Sequence, residues 1–449
     1  MRRSYPHALN LAISAAVAVT AALLATVGPM VATAAASTAT VSSAHFSTQQ
    51  RLGFRAGDDW EPALTTDRFG HEYALFKHYD VPGGGTCTRC DLHVLVQRSS
   101  DGGQSWSDPV AIAPVAAQGG QYDSQIAVDP VDGKTLWASF LQASNSRIAV
   151  VKSTDFGKTW SPLRIVSDLP PGLDKDTLVV HGSTVAVAYD DNFNTWVSLS
   201  RDGGRHWSTH LIFPGDNRFN ISLSAGGGID PAGNIFFTWD SFDKAHSANG
   251  DGPVTLWIAR STDGGLDWTR TVIAVSGAPY PCNACGYAFL SAQMTMRIGE
   301  DGALYLLWNA TPGQTNGTPE RIYFARSTDH GASYSVRQNV SLAPAGVEHC
   351  FPALATGPTD GDVRIGWMDE RTGAWNLFVR SSSNGGTSWS AETRVSGYVP
   401  GYSYLTPAGF GLPYGDYFQM AVDSAGETQI AWGESSSYAG PGNIWTAHD

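Results

Sequence analysis

The chain has 449 residues, a formal net charge of −13 and only 15% charged residues, with 49 glycines and 15 tryptophans. An acidic chain without blocks of lysine and arginine is a poor partner for nucleic acid or for an anionic membrane surface. Its length exceeds one ordinary core, so it needs several domains or one repeat array, and the glycine-rich, charge-poor usage fits short strands joined by tight turns.

The chain starts Met1-Arg2-Arg3, runs apolar from about Leu11 to Val27, and then carries small residues over 32–37. A charged start, an apolar run and an Ala-x-Ala exit describe a secretory signal peptide cleaved near Ala36. Residues 1–36 are therefore read as a leader and 37–449 as the secreted domain. The apolar run is short for a membrane span and no second one follows, so no membrane contact is expected after cleavage.

Beyond the leader, one unit recurs: an apolar strand, a turn, and a second apolar strand often ending in an aromatic. It appears at 62–67 with 73–76, 125–129 with 136–140, 177–180 with 185–189, 221–225 with 235–239, 294–298 with 304–308, 352–355 with 363–367, and 418–422 with 428–432. An eight-residue pattern, Ser-x-Asp-x-Gly-x-x-Trp, follows six of these hairpins. It stands at 99–106, 153–160, 200–207 and 261–268, with Tyr334 replacing Trp in the fifth copy and Asn384 replacing Asp in the sixth. The Asp carboxylate can accept backbone N–H groups across a tight turn, the Gly permits positive φ, and the Trp can plug the turn from below. These residues read as structural rather than catalytic.

The pattern resembles the Asp-box of sialidases and other BNR-repeat propellers, secreted bacterial proteins among them. Seven hairpins and six boxes predict an all-β, seven-bladed β-propeller with Asp-box turns. The chain stops just where a seventh box would begin, and 46–53 looks like the strand that follows each box. The last blade is therefore expected to be completed by the N-terminal strand, which pairs edges that a ring would otherwise expose.

In such a blade the boxes lie on one face, and the loops entering each blade lie on the other, where function is usually placed. Asp58, Asp59, Glu61, Asp123, Glu348 and Asp416 should ring that mouth. Carboxylates brought together there can split their pKa values into an acid and a base or nucleophile, as glycoside hydrolysis requires. Residues 54–57, Phe-Arg-Ala-Gly, match part of the sialidase Phe-Arg-Ile-Pro start, and the Ile-Pro is absent. The resemblance implies Asp58 or Asp59 as acid, Tyr414 or Tyr417 as nucleophile paired with Glu348, and Arg55, Arg218, Arg321 and Arg371 as carboxylate ligands. A polysaccharide lyase fits the same face, with Arg371 neutralising a uronate and His349 or Tyr417 moving the proton. A non-catalytic glycan- or protein-binding propeller is the third reading.

Five cysteines remain. Cys87 with Cys90, and Cys282 with Cys285, read as local disulfide staples in a secreted protein, leaving Cys350 either free or bridged to Cys282 or Cys285. No cofactor and no metal site is expected. The reading is a secreted, monomeric, sialidase-like glycosidase acting on extracellular glycans.

Overall fold

The computed structural model describes residues 45–53, 58–79, 93–114, 119–215, 219–243, 253–278, 291–373, 375–396, 417–434 and 443–449. At 58, 79, 219–224, 243, 434 and 443 it describes the backbone only. The proposed leader, Arg55, Arg218, Tyr414, Asp416, Cys87, Cys90, Cys282 and Cys285 lie outside the described residues. No described helix is long and apolar enough to cross a membrane.

The described strands form seven four-stranded antiparallel sheets. Their inner strands are Asp58–Thr66, Tyr122–Val128, Asp174–His181, Phe219–Ile229, Met294–Ile298, His349–Thr356 and Gln419–Val422, here numbered as blades 1 to 7. Each inner strand packs against the next around a closed circuit, with blade 7 returning to blade 1. The protein is an all-β, seven-bladed propeller. The seventh sheet draws on both ends of the chain: Gln50–Leu52 pairs with Asn443–His448, Gln50 opposite Thr446 and Leu52 opposite Ile444. Ser47 extends the contact by donating its N–H to the His448 carbonyl at 2.7 Å.

Packing explains why the second strand of each blade is apolar without alternation. It lies between two neighbouring blades, so both faces are covered; Leu136–Gln142 and Leu304–Ala310 are buried at every position. A large aromatic ends this strand in each blade: Phe76, Phe140, Tyr189, Trp239, Trp308, Trp367 and Trp432, all less than 2% exposed. Seven such wedges fill the space that opens between radiating sheets. Outer strands such as Val110–Ala111, Arg164–Ile165 and Gln338–Asn339 are two residues long and exposed, which limits edge-to-edge association.

The six repeated turns share one hydrogen-bond scheme. The first Ser accepts the N–H of the second Gly, or of the single Gly, at 2.7–2.9 Å in all six. The Asp at the third position accepts the backbone N–H of the residue just before the plug, as Ser105 N–H to Asp101 at 2.9 Å; Asn384 does the same for Ser388 at 2.9 Å. Gly386 has φ +80, and a Cβ there would overlap the Phe324 ring of the preceding blade. Arginines beside the turns reach across to the next blade: Arg98 donates to Phe156 O at 3.3 Å, Arg201 to Gly264 O at 2.7 Å and Arg326 to Gly385 O at 2.9 Å. These guanidinium groups are inter-blade ties, on the face away from the loop-bearing mouth.

Candidate functional site

A cavity of about 420 Å³ runs along the axis between the inner strands. Its volume falls in the range of small-molecule sites. At the mouth it is lined by Asp123, Lys175, Asp176, Asp240, Gln293 and Tyr417.

A repeated backbone irregularity places these groups. The ladder between first and second strands slips at Trp60/Ala63, Tyr122/Gln125, Asp174/Thr177 and Cys350/Ala353. Within each slip one non-glycine residue adopts the left-handed conformation: Glu61 (φ 51), Asp123 (φ 42), Lys175 (φ 50) and Phe351 (φ 52). Such a bulge re-aims a side chain, and a left-handed conformation at a non-glycine residue costs about 1–3 kcal/mol. In blades 1, 2 and 3 the re-aimed residues are charged and meet in a line.

Lys77 forms an ion pair with Glu61 and lies 3.8 Å from Asp123 Oδ1, while Lys175 lies 3.6 Å from Asp123 Oδ2. All four side chains are buried or nearly so. Lys77 also sits over the Tyr122 ring, 5.4 Å from its centroid. Burial pushes the Asp123 carboxyl up, but Lys175 and Lys77 outweigh it and hold the group ionised far below the usual carboxylate range.

Asp176, within the third bulge and directly after Lys175, has the opposite environment. Burial pushes its carboxyl well above the ordinary value, and the nearby Asp123 charge pushes the same way. Ser139 donates to its Oδ2, while Oδ1 makes no hydrogen bond. Asp240 is likewise raised by burial, with Oδ1 unpaired. Near its mouth the cavity therefore carries one carboxylate held in its charged form and two carboxyl groups that burial pushes toward the neutral form.

The other sequence-predicted residues fall elsewhere. Asp59 is fully buried and bonded to His78 Nδ1 at 2.7 Å. Glu348 is buried among backbone donors, accepting the N–H groups of Glu320 at 2.9 Å and His349 at 3.0 Å. His349 has no exposed surface, which removes it as a direct ligand or proton carrier for a glycan. Its Nδ1 faces the Glu320 and Val347 carbonyls at 2.8 and 3.0 Å, so it must carry the proton there, and Nε2 accepts from Ser341 Oγ at 2.7 Å. Arg371 is already neutralised by Asp369 and Glu392 and covers the Phe378 ring. Arg321 donates to Ala343 O at 2.8 Å. Cys350 is buried as a free thiol, which answers against a bridge to Cys282 or Cys285. Of the expected groups, Asp123 and Tyr417 share the cavity; for Asp58 only the backbone is described. Asp176, Lys175 and Asp240 are additions. The Asp174-Lys175-Asp176 run signalled two of them, since alternating charge in a blade-entry segment is costly to bury without a purpose.

Burial of so many acids sets a pH dependence of stability. Burial raises Asp176, Asp190, Asp240, Glu320 and Glu348, the last to about 8. In the unfolded chain these groups ionise near pH 4, so above that pH the unfolded state binds fewer protons than the folded one. Their contribution is present below about pH 4.5 and is lost as the pH rises toward 8. His349, lowered by burial to about 4, acts the other way between pH 4 and 6.5, one group against five. The melting temperature by calorimetry is expected to be several degrees higher at pH 5 than at pH 8; a rise over that interval contradicts this assignment.

No family model matches the chain, and no curated protein is similar to it. Solved structures share its fold. A protein of unknown function from Dyadobacter fermentans aligns with a TM-score of 0.52 at 13% identity, over 89% of this chain and 97% of that one. An ulvan lyase, described as a new family of polysaccharide lyase, aligns with a TM-score of 0.52 at 11% identity, over 88% of this chain and 95% of that one. A microbial sialidase described as Hadza Hz136 aligns at 0.47 and 15% identity, over 87% of this chain and 65% of that one. At these identities the likeness is one of fold.

Proposed function

We propose that the chain is a carbohydrate-active enzyme that hydrolyses glycosidic bonds of extracellular glycans at the mouth of its axial cavity. The observation that carries this reading is the pair Asp123 and Asp176: two neighbouring carboxyl groups in one cavity, the first held ionised by two lysines and the second pushed toward its neutral form by burial. Glycoside hydrolysis needs that division, one group to protonate the leaving oxygen and one carboxylate on the opposite side to act as base or nucleophile. Asp176 is the acid and Asp123 the carboxylate. Tyr417 and Gln293 offer polar and aromatic contacts to the sugar, and Lys175 holds Asp123 in place.

A panel of neutral and acidic glycans, scored for new reducing ends and for ultraviolet-absorbing unsaturated ends, tests this. Hydrolysis gives reducing ends without the absorbance. Unsaturated ends make the protein a lyase, with Tyr417 and Lys175 the groups to examine. Glycan binding without either product makes it a binding propeller and removes the catalytic assignment.

A further inference from the structure

The same cavity holds a second charged feature at a different depth. Arg297 belongs to the inner strand of blade 5, Met294–Ile298, and lines the channel. Strands rise about 3.3 Å per residue, so Arg297 lies roughly 13 Å deeper than Gln293 at the mouth. It is mostly buried, and its side chain donates one hydrogen bond, to Met296 O at 2.8 Å. Among the described residues no carboxylate forms an ion pair with it. The channel wall has one acid toward that end, the exposed Glu300, and the two are not paired.

A guanidinium cannot relieve burial by losing its proton at any ordinary pH. It carries five N–H donors, and a single carbonyl satisfies one. Burial works against its charge. The wall beside it is Gly226, Gly227 and Gly228 of blade 4. None of the three has positive φ, so they serve close approach: a Cβ on Gly226 would lie 2.8 Å from Met296 N, and one on Gly228 2.7 Å from the Ile298 side chain. Blade 4 therefore presents bare backbone to the channel beside Arg297.

We propose that Arg297 holds a small monovalent anion of the halide class in the axial channel, against the Gly226–Gly228 wall. One unpaired positive charge calls for one negative charge. Val128, Val180 and Ile298 on the nearby wall make the surroundings largely apolar, which favours a small, weakly hydrated monovalent anion over a polyvalent oxyanion. The anion neutralises the bore and ties the inner strands of blades 4 and 5. This site is independent of the hydrolytic reading and stands whether or not Asp176 is catalytic.

Two measurements on the intact chain test it. Crystals grown with sodium bromide should show an anomalous peak within hydrogen-bond distance of the Arg297 guanidinium. In solution, the melting temperature should rise on replacing sodium gluconate, a bulky and strongly hydrated anion, by sodium chloride at constant ionic strength. The rise should saturate, and Arg297→Met should abolish it. Water alone at the guanidinium, with equal melting temperatures in the two salts, overturns the proposal. The same chloride response in Arg297→Met also overturns it. Should that variant fail to fold, the bromide peak and the wild-type salt comparison decide.

Discussion

Asp176→Asn is expected to lower turnover on an unactivated glycan by a hundredfold or more, with little change in stability. General acid catalysis contributes typically 10²–10⁴-fold. Asparagine matches the shape of the protonated acid and keeps an acceptor for Ser139, but it has no proton to give to a leaving oxygen. Among the described residues Asp176 forms no ion pair, and burial favours its neutral form, so its replacement removes no charge pairing. Substrates whose leaving group departs without protonation, such as nitrophenyl glycosides, should recover most of the loss. Asp123→Asn should not be recovered in this way, because the missing group is then the carboxylate. Steady-state kinetics of both variants on both substrates provide the comparison. Equal losses on the two substrate classes would remove Asp176 as the acid.

Lys77→Met is expected to destabilise the protein by about 3–5 kcal/mol, the usual cost of removing one partner from a buried ion pair. Glu61 and Asp123 would then face each other across blades 1 and 2 with only Lys175 left to oppose them. Loss of this cation should also bring the Asp123 carboxyl upward, since Lys77 is one of the two charges holding it down. Adding Glu61→Gln to Lys77→Met should return much of the stability, because the buried charge left without its partner is then gone. Urea denaturation of the two single variants and the double variant measures the coupling. A Lys77→Met protein within 1 kcal/mol of wild type would show that water already solvates this cluster.

The blades were legible in the sequence because their causes are local and repeated. The Ser, Asp and Gly at fixed offsets encode one turn, and the aromatic at the end of each second strand, from Phe76 to Trp432, encodes one wedge. The site was legible in part. Asp123 could be picked out as an acid at a blade entrance, but nothing local distinguishes it from Asp59, which is spent on His78, or from Glu348, which is spent on backbone N–H groups. What separates them is the left-handed bulge that turns Glu61, Asp123 and Lys175 toward one another, and no single residue type marks it. His349 and Arg371 stood out for their chemistry and proved to be framework groups, one closed around Ser341 and the other between Asp369 and Glu392. Nothing in the sequence sets Arg297 apart, because the cavity it lines exists only after seven distant strands meet.

Asp123 and Asp176, which line the same cavity, are expected to hold opposite protonation states at neutral pH. Carbon-13 NMR titration of protein labelled at aspartate carboxyl carbons reads this without a substrate, with Asp123→Asn and Asp176→Asn supplying the assignments. The expected spectrum has the Asp176 signal in its protonated position at pH 7 and the Asp123 signal ionised down to the acid limit of folding. An Asp176 carboxyl that titrates near pH 4 with the surface aspartates would contradict the account.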